Sequence, residues 1–348
     1  MKLNKFITVI FILFAFGTAW GAMYIYKQIY GTISTEKVTI FVPKNASFEQ
    51  VLDTLSSKGL IKNRAFFNFL AEKKNYNDQR VISGKYEVKP GVNLNELINK
   101  LRIGDQCPVK FMFNNVETVE ELAGAVGESF EMDSLEFLDA VYDKDFLEET
   151  GLDKDQIALV FIPNTYQMYW TISGTGLRDR MWKEYGSFWN KKGRINKAKS
   201  LNLSQKEVSI LASIVEKESY RKAELPTIAG LYLNRLKKGM KLQSDPTVIF
   251  ALNKENSDGR KVKRVLYKDL KTNSPYNTYK IVGLPPGPIG IPEIKAIDAV
   301  LNYKKHKYIY MCAKPDLSGY NNYAVTLAQH NVNAKAYQKA MNERKIMN

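Results

Sequence analysis

Cysteine and histidine are scarce in this chain, at two residues each among 348. Cys107 and Cys312 lie far apart and form no CxxC pair. With only His306 and His330 beside them, they offer no spacing for a structural zinc site. Two distant cysteines also define no disulfide framework, so both are read as buried free thiols. There is no internal repeat, heptad array or low-complexity tract, which excludes solenoids, long coiled coils and disordered tracts. Acidic residues are in deficit: 36 Asp and Glu against 51 Lys and Arg leave a formal charge of +15. A surface that basic favours polyanions, whether nucleic acid, anionic lipid or a carboxylate-rich polymer. No RNA-binding aromatic signature or helix-turn-helix accompanies the charge, so no nucleic-acid partner is expected. What remains is 45% hydrophobic and 25% charged, enough for one large domain or two ordinary ones with a real core.

Charge is missing altogether from Phe6 to Tyr26. As a helix this run spans about 31 Å, close to the hydrocarbon thickness of a bilayer. Lys2 and Lys5 precede it, and Trp20, Tyr24 and Tyr26 stand at its far end as an aromatic belt would. A cleaved signal peptide is the competing reading, but the apolar run is longer than a usual signal core. The expectation is a short cytoplasmic tail (1–5), a single-pass anchor in the cytoplasmic membrane (6–26) and a linker (27–35). The bilayer is then a partner, and everything beyond the linker lies outside the cytoplasm.

Beyond the linker the patterns alternate between helix and strand. "VTIFVP" and "GKYEVKPG" read as strands. "SFEQVLDTLSSKGL", "NRAFFNFLAEKK" and "NLNELINKLRIG" read as helices, with Ser47 and Asn93 or Asn95 as N-caps and Gly59 and Gly104 just past their ends. This gives a small module over 36–105. Residues 106–348 follow as a larger domain with long helices, an irregular Pro/Gly/Tyr-rich loop from Asn273 to Pro292, and two late strands in "KYIYMCA" and "NNYAV". The fold class expected is α+β: an N-terminal transmembrane helix, a small α+β module and a larger α+β domain.

The stretch "ILASIVEKESY", Ile210–Tyr220, ends an apolar helix in two glutamates. Ser204 and Glu207 open that helix with the spacing of a capping box, which gives Glu207 a structural task. Leu211, Ile214 and Val215 fall on one stripe, and Glu218 continues it, whereas Glu216 lies about 200° away around the helix. A carboxyl held against apolar neighbours resists ionisation and can serve as a general acid near neutral pH. Helix periodicity alone favours a helix that simply ends here with both carboxylates in solvent.

The block "ILASIVEKES", followed by "LYLNRLKKGMKLQSDPTVIF", "SPYNTYKIVGLPPGPI" and "LAQHN", resembles the endolytic murein transglycosylases, the YceG-like family, in order and spacing. "SGKYEVKPGVNLNELINKLRIG" resembles that family's LysM-like module. "FIPNTY" resembles its "LFPDTY" block, with Asn164 where aspartate is usual. The family's catalytic glutamate falls on Glu218. The resemblance implies a lyase that cleaves the β-1,4 bond between N-acetylmuramic acid and N-acetylglucosamine. The muramyl 6-hydroxyl attacks C1, leaving a 1,6-anhydro end. One carboxyl then suffices where ordinary glycosidases use two. No cofactor or metal is implied. Peptidoglycan glycan strands are the implied substrate, and wall synthases are implied partners. The competing function is a non-enzymatic, membrane-tethered peptidoglycan-binding protein, which turnover would separate from the enzyme.

Further candidates for substrate binding are Ser219, then Gln243, Ser244 and Asp245, which the resemblance places near the cleft, and Tyr276, Asn277 and Tyr279 in the Pro/Gly loop. Amides and aromatic faces suit acetamido groups and sugar rings, although Ser219 also reads as a helix cap and Asp245–Pro246 as a turn before the next helix. Asn234 and Arg235 could read polar substrate groups, although an arginine on an exposed helix face is the default reading. The resemblance leads to a second histidine where Asn321 stands, so His330 is read as structural.

Overall fold

The structure, a computed structural model, describes residues 2–256 and 261–343. Two compact units are present. One comprises Met1–Phe111, Ser129–Met132 and Tyr166–Ile172; the other comprises Met112–Glu128, Asp133–Thr165 and Ser173–Asn348.

In the first unit, α1 (Lys2–Tyr30) is one continuous helix. Its Phe6–Tyr30 stretch, 25 residues, is long and apolar enough to cross a membrane. The hydroxyl of Thr18 donates back to the carbonyls of Phe14 and Ala15, so this polar group is satisfied within the helix. β1 (Val38–Val42) pairs antiparallel with β2 (Gly84–Val88), Ile40 opposite Tyr86. Strand alternation turns Ile40, Val42, Tyr86 and Val88 into the core. α2 (Phe48–Ser57), α3 (Arg64–Lys73) and α4 (Leu94–Ile103) lay Leu52, Leu55, Phe67, Leu97 and Ile98 into the same cluster. Ser47 with Gln50 and Asn93 with Glu96 form reciprocal caps, so Asn93 is the cap of α4. Gly104 ends that helix at φ 70°, a conformation that favours glycine.

This unit continues past residue 105. The Cys107 amide donates to the Lys85 carbonyl at 2.8 Å, and β3 (Val109–Met112) pairs with β4 (Thr165–Met168). Distant segments also return to it. The Glu131 amide donates to the Trp170 carbonyl, the Glu131 carboxylate accepts the Lys44 amide, and the Trp170 ring lies 4.9 Å from that of Phe41.

The second unit is mostly helical: α5 (Val119–Ser129), α6 (Ser134–Val141), α7 (Lys144–Thr150), α8 (Gly174–Asn190), α9 (Arg194–Ser200), α10 (Gln205–Glu218), α11 (Leu225–Lys237), α12 (Asp245–Glu255), α13 (Ile294–Leu301) and α14 (Leu327–Glu343). An antiparallel hairpin, β5 (Tyr310–Ala313) with β6 (Asn321–Ala324), completes it. α10 packs on α11, α12 and α13, and every residue from Val208 to Val215 is buried. The single apolar stripe expected for it is therefore a helix buried on all sides, the signature of a core helix. Ser209 and Ser213 fit because they are small; the Ser213 hydroxyl donates to the Ile210 carbonyl and accepts the Ile289 amide.

Both cysteines are free thiols, but they are partly exposed, not buried as the sequence suggested. Cys107 sits in an extended segment just after α4, and Cys312 lies on β5, where one side of the strand borders an open cleft.

Candidate active site

The cap at the start of α10 forms as expected: the Glu207 amide donates to Ser204 Oγ at 3.2 Å, and the Ser204 amide donates to Glu207 Oε2 at 2.7 Å. At the other end the chain turns abruptly into extended backbone at Ser219 (φ −151°), so Glu218 is the last helical residue. Its side chain enters a cleft of about 280 Å³. The remaining walls are Tyr232 and Arg235 of α11, the Leu242–Asp245 approach to α12, Tyr279 of the Pro/Gly loop, and the β5–β6 hairpin through Met311, Cys312 and Asn321.

Two donors converge on one oxygen of Glu218. The Tyr232 hydroxyl donates to Oε1 at 2.5 Å, and the Ser244 hydroxyl donates to the same atom. Among the described residues, no hydrogen bond reaches Oε2. Burial pushes the Glu218 pKa above the usual carboxylate range, against the pull of the Ser244 and Tyr232 hydrogen bonds; nearby Asp245 raises it further and Arg235 lowers it. Burial and the same carboxyl push the Tyr232 phenol well up. A neutral acid fits this arrangement, with Oε1 accepting both hydrogen bonds.

Glu216 has a different task. It accepts the Glu293 amide at 3.1 Å, and burial raises its pKa as well. Neither glutamate is left in solvent, but only Glu218 borders the cleft.

Arg235 departs from its default reading on an exposed face. It is 7% exposed. Its Nε donates to the Ile309 carbonyl at 2.7 Å, and its Nη1 to the Leu242 and Lys241 carbonyls and to Gln243 Oε1 at 2.6, 3.2 and 3.3 Å. One guanidinium thus ties the approach to α12 to the segment entering β5. Gln243 is held at φ 51°, a strained value for a non-glycine residue, and its amide donates to the Thr278 carbonyl at 3.1 Å. Asp245 begins α12 and accepts the Tyr279 hydroxyl at 2.5 Å.

Of the sequence candidates, Glu218, Gln243, Asp245 and Tyr279 line the cleft and Ser244 donates to Glu218, whereas Ser219, Tyr276 and Asn277 do not line it. Ser219 Oγ donates to Glu224 at 3.1 Å. Tyr276 is buried against Phe250, with ring centroids 4.8 Å apart. Asn277 is fully buried, and its Nδ2 donates to the Leu270 and Thr272 carbonyls. The loop residue that reaches the cleft is Tyr279, two positions on. Asn234 is also structural, donating to the His306 and Tyr308 carbonyls. His330 stacks on Tyr310 at 5.3 Å, with its pKa lowered by burial and by Arg235. The resemblance placed Ser244 near the cleft, but not as a donor to the acid, and Tyr232 was not foreseen, because a tyrosine amid leucines reads as core. Among the described residues, no three His, Cys, Asp or Glu side chains converge as a metal site requires.

Glu218, a partly buried carboxyl held by two hydroxyl donors, thus faces a polar cleft that Asp245 also lines. The chain matches the family model described as the YceG-like family over residues 40–336, and it belongs to that family. The matched segment begins beyond α1. The chain is 29% identical over 331 residues to the endolytic murein transglycosylase of Bacillus subtilis (strain 168), covering 89% of this chain and 88% of that protein. It is 28% identical over 327 residues to the endolytic murein transglycosylase of Streptococcus pneumoniae serotype 2 (strain D39 / NCTC 7466), covering 85% of this chain and 58% of that longer relative. The crystal structure of a YceG-like protein from Listeria monocytogenes superposes with a TM-score of 0.56 at 28% identity, over 86% of this chain and 99% of that one.

Proposed function

We propose that this chain is a membrane-anchored endolytic transglycosylase of peptidoglycan, with Glu218 as its one acid–base group. The observation that carries the reading is the Glu218 carboxyl, raised in pKa by burial, with both hydroxyl donors on Oε1 and none on Oε2. Glu218 Oε2–H gives its proton to the glycosidic oxygen between N-acetylmuramic acid and N-acetylglucosamine. The muramyl C1–O bond breaks, the N-acetylglucosamine 4-hydroxyl departs, and an oxocarbenium-like centre forms at C1. The carboxylate left behind keeps its two donors, with Arg235 close enough to favour the charge. Asp245 adds negative potential to the cleft where positive charge develops. The muramyl 6-hydroxyl then attacks C1 and returns its proton to Oε2, which restores the acid and leaves a 1,6-anhydro end. No water is consumed and no cofactor is called for.

Gln243, Asp245, Tyr279 and Asn321 supply the polar cleft groups that would read hydroxyl and acetamido substituents. The Phe6–Tyr30 helix, with Lys2 and Lys5 before it, supports a single-pass anchor in the cytoplasmic membrane that leaves Glu218 outside the cytoplasm. There the enzyme would meet nascent glycan strands and terminate their elongation beside the synthases that make them. The 36–105 module would hold the strand.

The test is mass spectrometry of fragments that the purified protein releases from insoluble peptidoglycan. The reading expects soluble glycans ending in 1,6-anhydro-N-acetylmuramic acid. Fragments with reducing ends, or none, contradict it.

A further inference from the structure

Glu224 is a buried carboxylate that the acid–base steps leave unused. It is 6% exposed and lies at the start of α11, in the short turn that follows Glu218 and Ser219. Four hydrogen bonds saturate it, two on each oxygen. Oε1 accepts the Asn321 amide at 2.9 Å and the Tyr323 hydroxyl at 2.8 Å. Oε2 accepts Ser219 Oγ and Asn321 Nδ2, each at 3.1 Å. Among the described residues, no lysine or arginine pairs with it. A carboxylate buried without a cation is costly unless its lone pairs are filled, and here they are.

The donors come from two places that both form the cleft. Ser219 directly follows the acid; Asn321 and Tyr323 belong to β6, and Asn321 lines the cleft itself. A second strut runs alongside. Arg221 donates from Nε and Nη2 to the Ser318 carbonyl in the β5–β6 turn, at 3.1 and 2.6 Å, and lies over the Tyr320 ring at 5.3 Å. Its own amide donates to Ser219 Oγ at 3.0 Å. The turn after α10 is thus fastened to the hairpin at two points, with Glu224 as the buried one.

We propose that Glu224 is a positioning residue for the reaction: its carboxylate clamps the end of α10 to the β5–β6 hairpin and so fixes the width of the cleft between Glu218 and the hairpin wall. This rests on the reading of Glu218 as the acid. Glutamine keeps the shape of the side chain, but it has one acceptor oxygen for four donors and turns an amide N–H₂ toward the others. Aspartate is too short to span Ser219 and β6 together. A shift of about 1 Å in a reacting group can lower turnover by as much as 100-fold.

The experiment measures kcat and its pH profile on defined glycan strands for wild type, Glu224→Gln, Tyr323→Phe and the double variant, with folding followed by circular dichroism. Glu224→Gln is expected to fold and to lose at least ten-fold in kcat, with a smaller change in KM. The alkaline limb of its kcat profile should move to lower pH. A loosened hairpin admits water to Glu218, while Asp245, Arg235 and Tyr232, which also face that carboxyl, stay in place. Tyr323→Phe should lower turnover in the wild-type background and add nothing to Glu224→Gln. If Glu224→Gln does not fold, the milder Tyr323→Phe carries the test through the same limb shift. Wild-type turnover and an unshifted limb in every variant would overturn the clamp, as would full activity of Glu224→Gln or strict additivity with Tyr323→Phe. An inactive wild type would overturn the acid assignment and the clamp together.

Discussion

Tyr232 donates its phenolic hydrogen to Glu218 Oε1 across 2.5 Å, reaching from α11 to the last residue of α10. This bond stabilises the carboxylate more than the neutral acid, so it matters most midway through the reaction, when the charge on Glu218 is buried. Tyr232→Phe keeps the ring packing and removes the donor. It should lower kcat by about 100-fold or more, in the range of about 100- to 1,000-fold seen when one donor to a developing anion is removed. Losing a donor that lowers the acid's pKa lets that pKa rise, so the alkaline limb of the kcat profile should move to higher pH. A limb that stays in place, with kcat near wild type, would show that the phenol merely packs.

The raised pKa of Glu218 also makes a statement about stability. Below the ordinary carboxylate value of about 4.3, the group is protonated whether the chain is folded or not, and it contributes no pH dependence. As pH rises above that value the unfolded chain ionises while the folded acid resists, so the folded state loses stability until pH passes the folded pKa. Glu218→Gln has no such penalty. It should melt at a higher temperature than wild type at pH 7.5 and at nearly the same temperature near pH 3.5. Parallel melting curves at both pH values would contradict a raised pKa.

Helix periodicity alone favoured a solvated helix end; the resemblance to the YceG-like family singled out Glu218, and the sequence hid its surroundings. The heptad-like step from Leu211 placed its carboxyl inward, and that direction is correct. The stripe itself was incomplete, because α10 is enclosed on every side and Glu216 is also taken up by protein, at the Glu293 amide. Local signals were reliable wherever the chemistry was local, as with the caps at Ser47, Asn93 and Ser204 and the left-handed Gly104. They failed where partners lie far apart in the chain. Ser244 meets Glu218 across 26 positions, and Asn321 meets Glu224 across 97. Within the Pro/Gly loop, sequence could not tell Tyr276 and Asn277, which fold inward to hold the loop, from Tyr279, which reaches the cleft.

Arg235 holds three backbone carbonyls, those of Lys241, Leu242 and Ile309, while 7% exposed. Arg235→Ala leaves them without a donor in a buried setting. Each unmet group costs about 1–3 kcal/mol, so the loss should be on the order of 3 kcal/mol even after partial relaxation and water entry. Urea denaturation measures this directly. A change below about 1 kcal/mol would mean that the guanidinium acts on substrate and not on the fold.

The anchor reading concerns topology. With Lys2 and Lys5 on the cytoplasmic side, a reporter fused after Asn348 should be active only if it works outside the cytoplasm. A fusion active only inside the cytoplasm would reverse the orientation and separate Glu218 from its proposed substrate.

The central claim is that one carboxyl, Glu218, performs both proton transfers. Its most direct test compares anhydro-ended fragments released from peptidoglycan by Glu218→Gln and Glu216→Gln. General acid–base catalysis typically contributes about 100- to 10,000-fold. Glu218→Gln should therefore release no detectable anhydro product while still sedimenting with peptidoglycan, and Glu216→Gln should keep most of the wild-type rate. Near-normal release of anhydro ends by Glu218→Gln, or a dead Glu216→Gln beside it, would contradict the account.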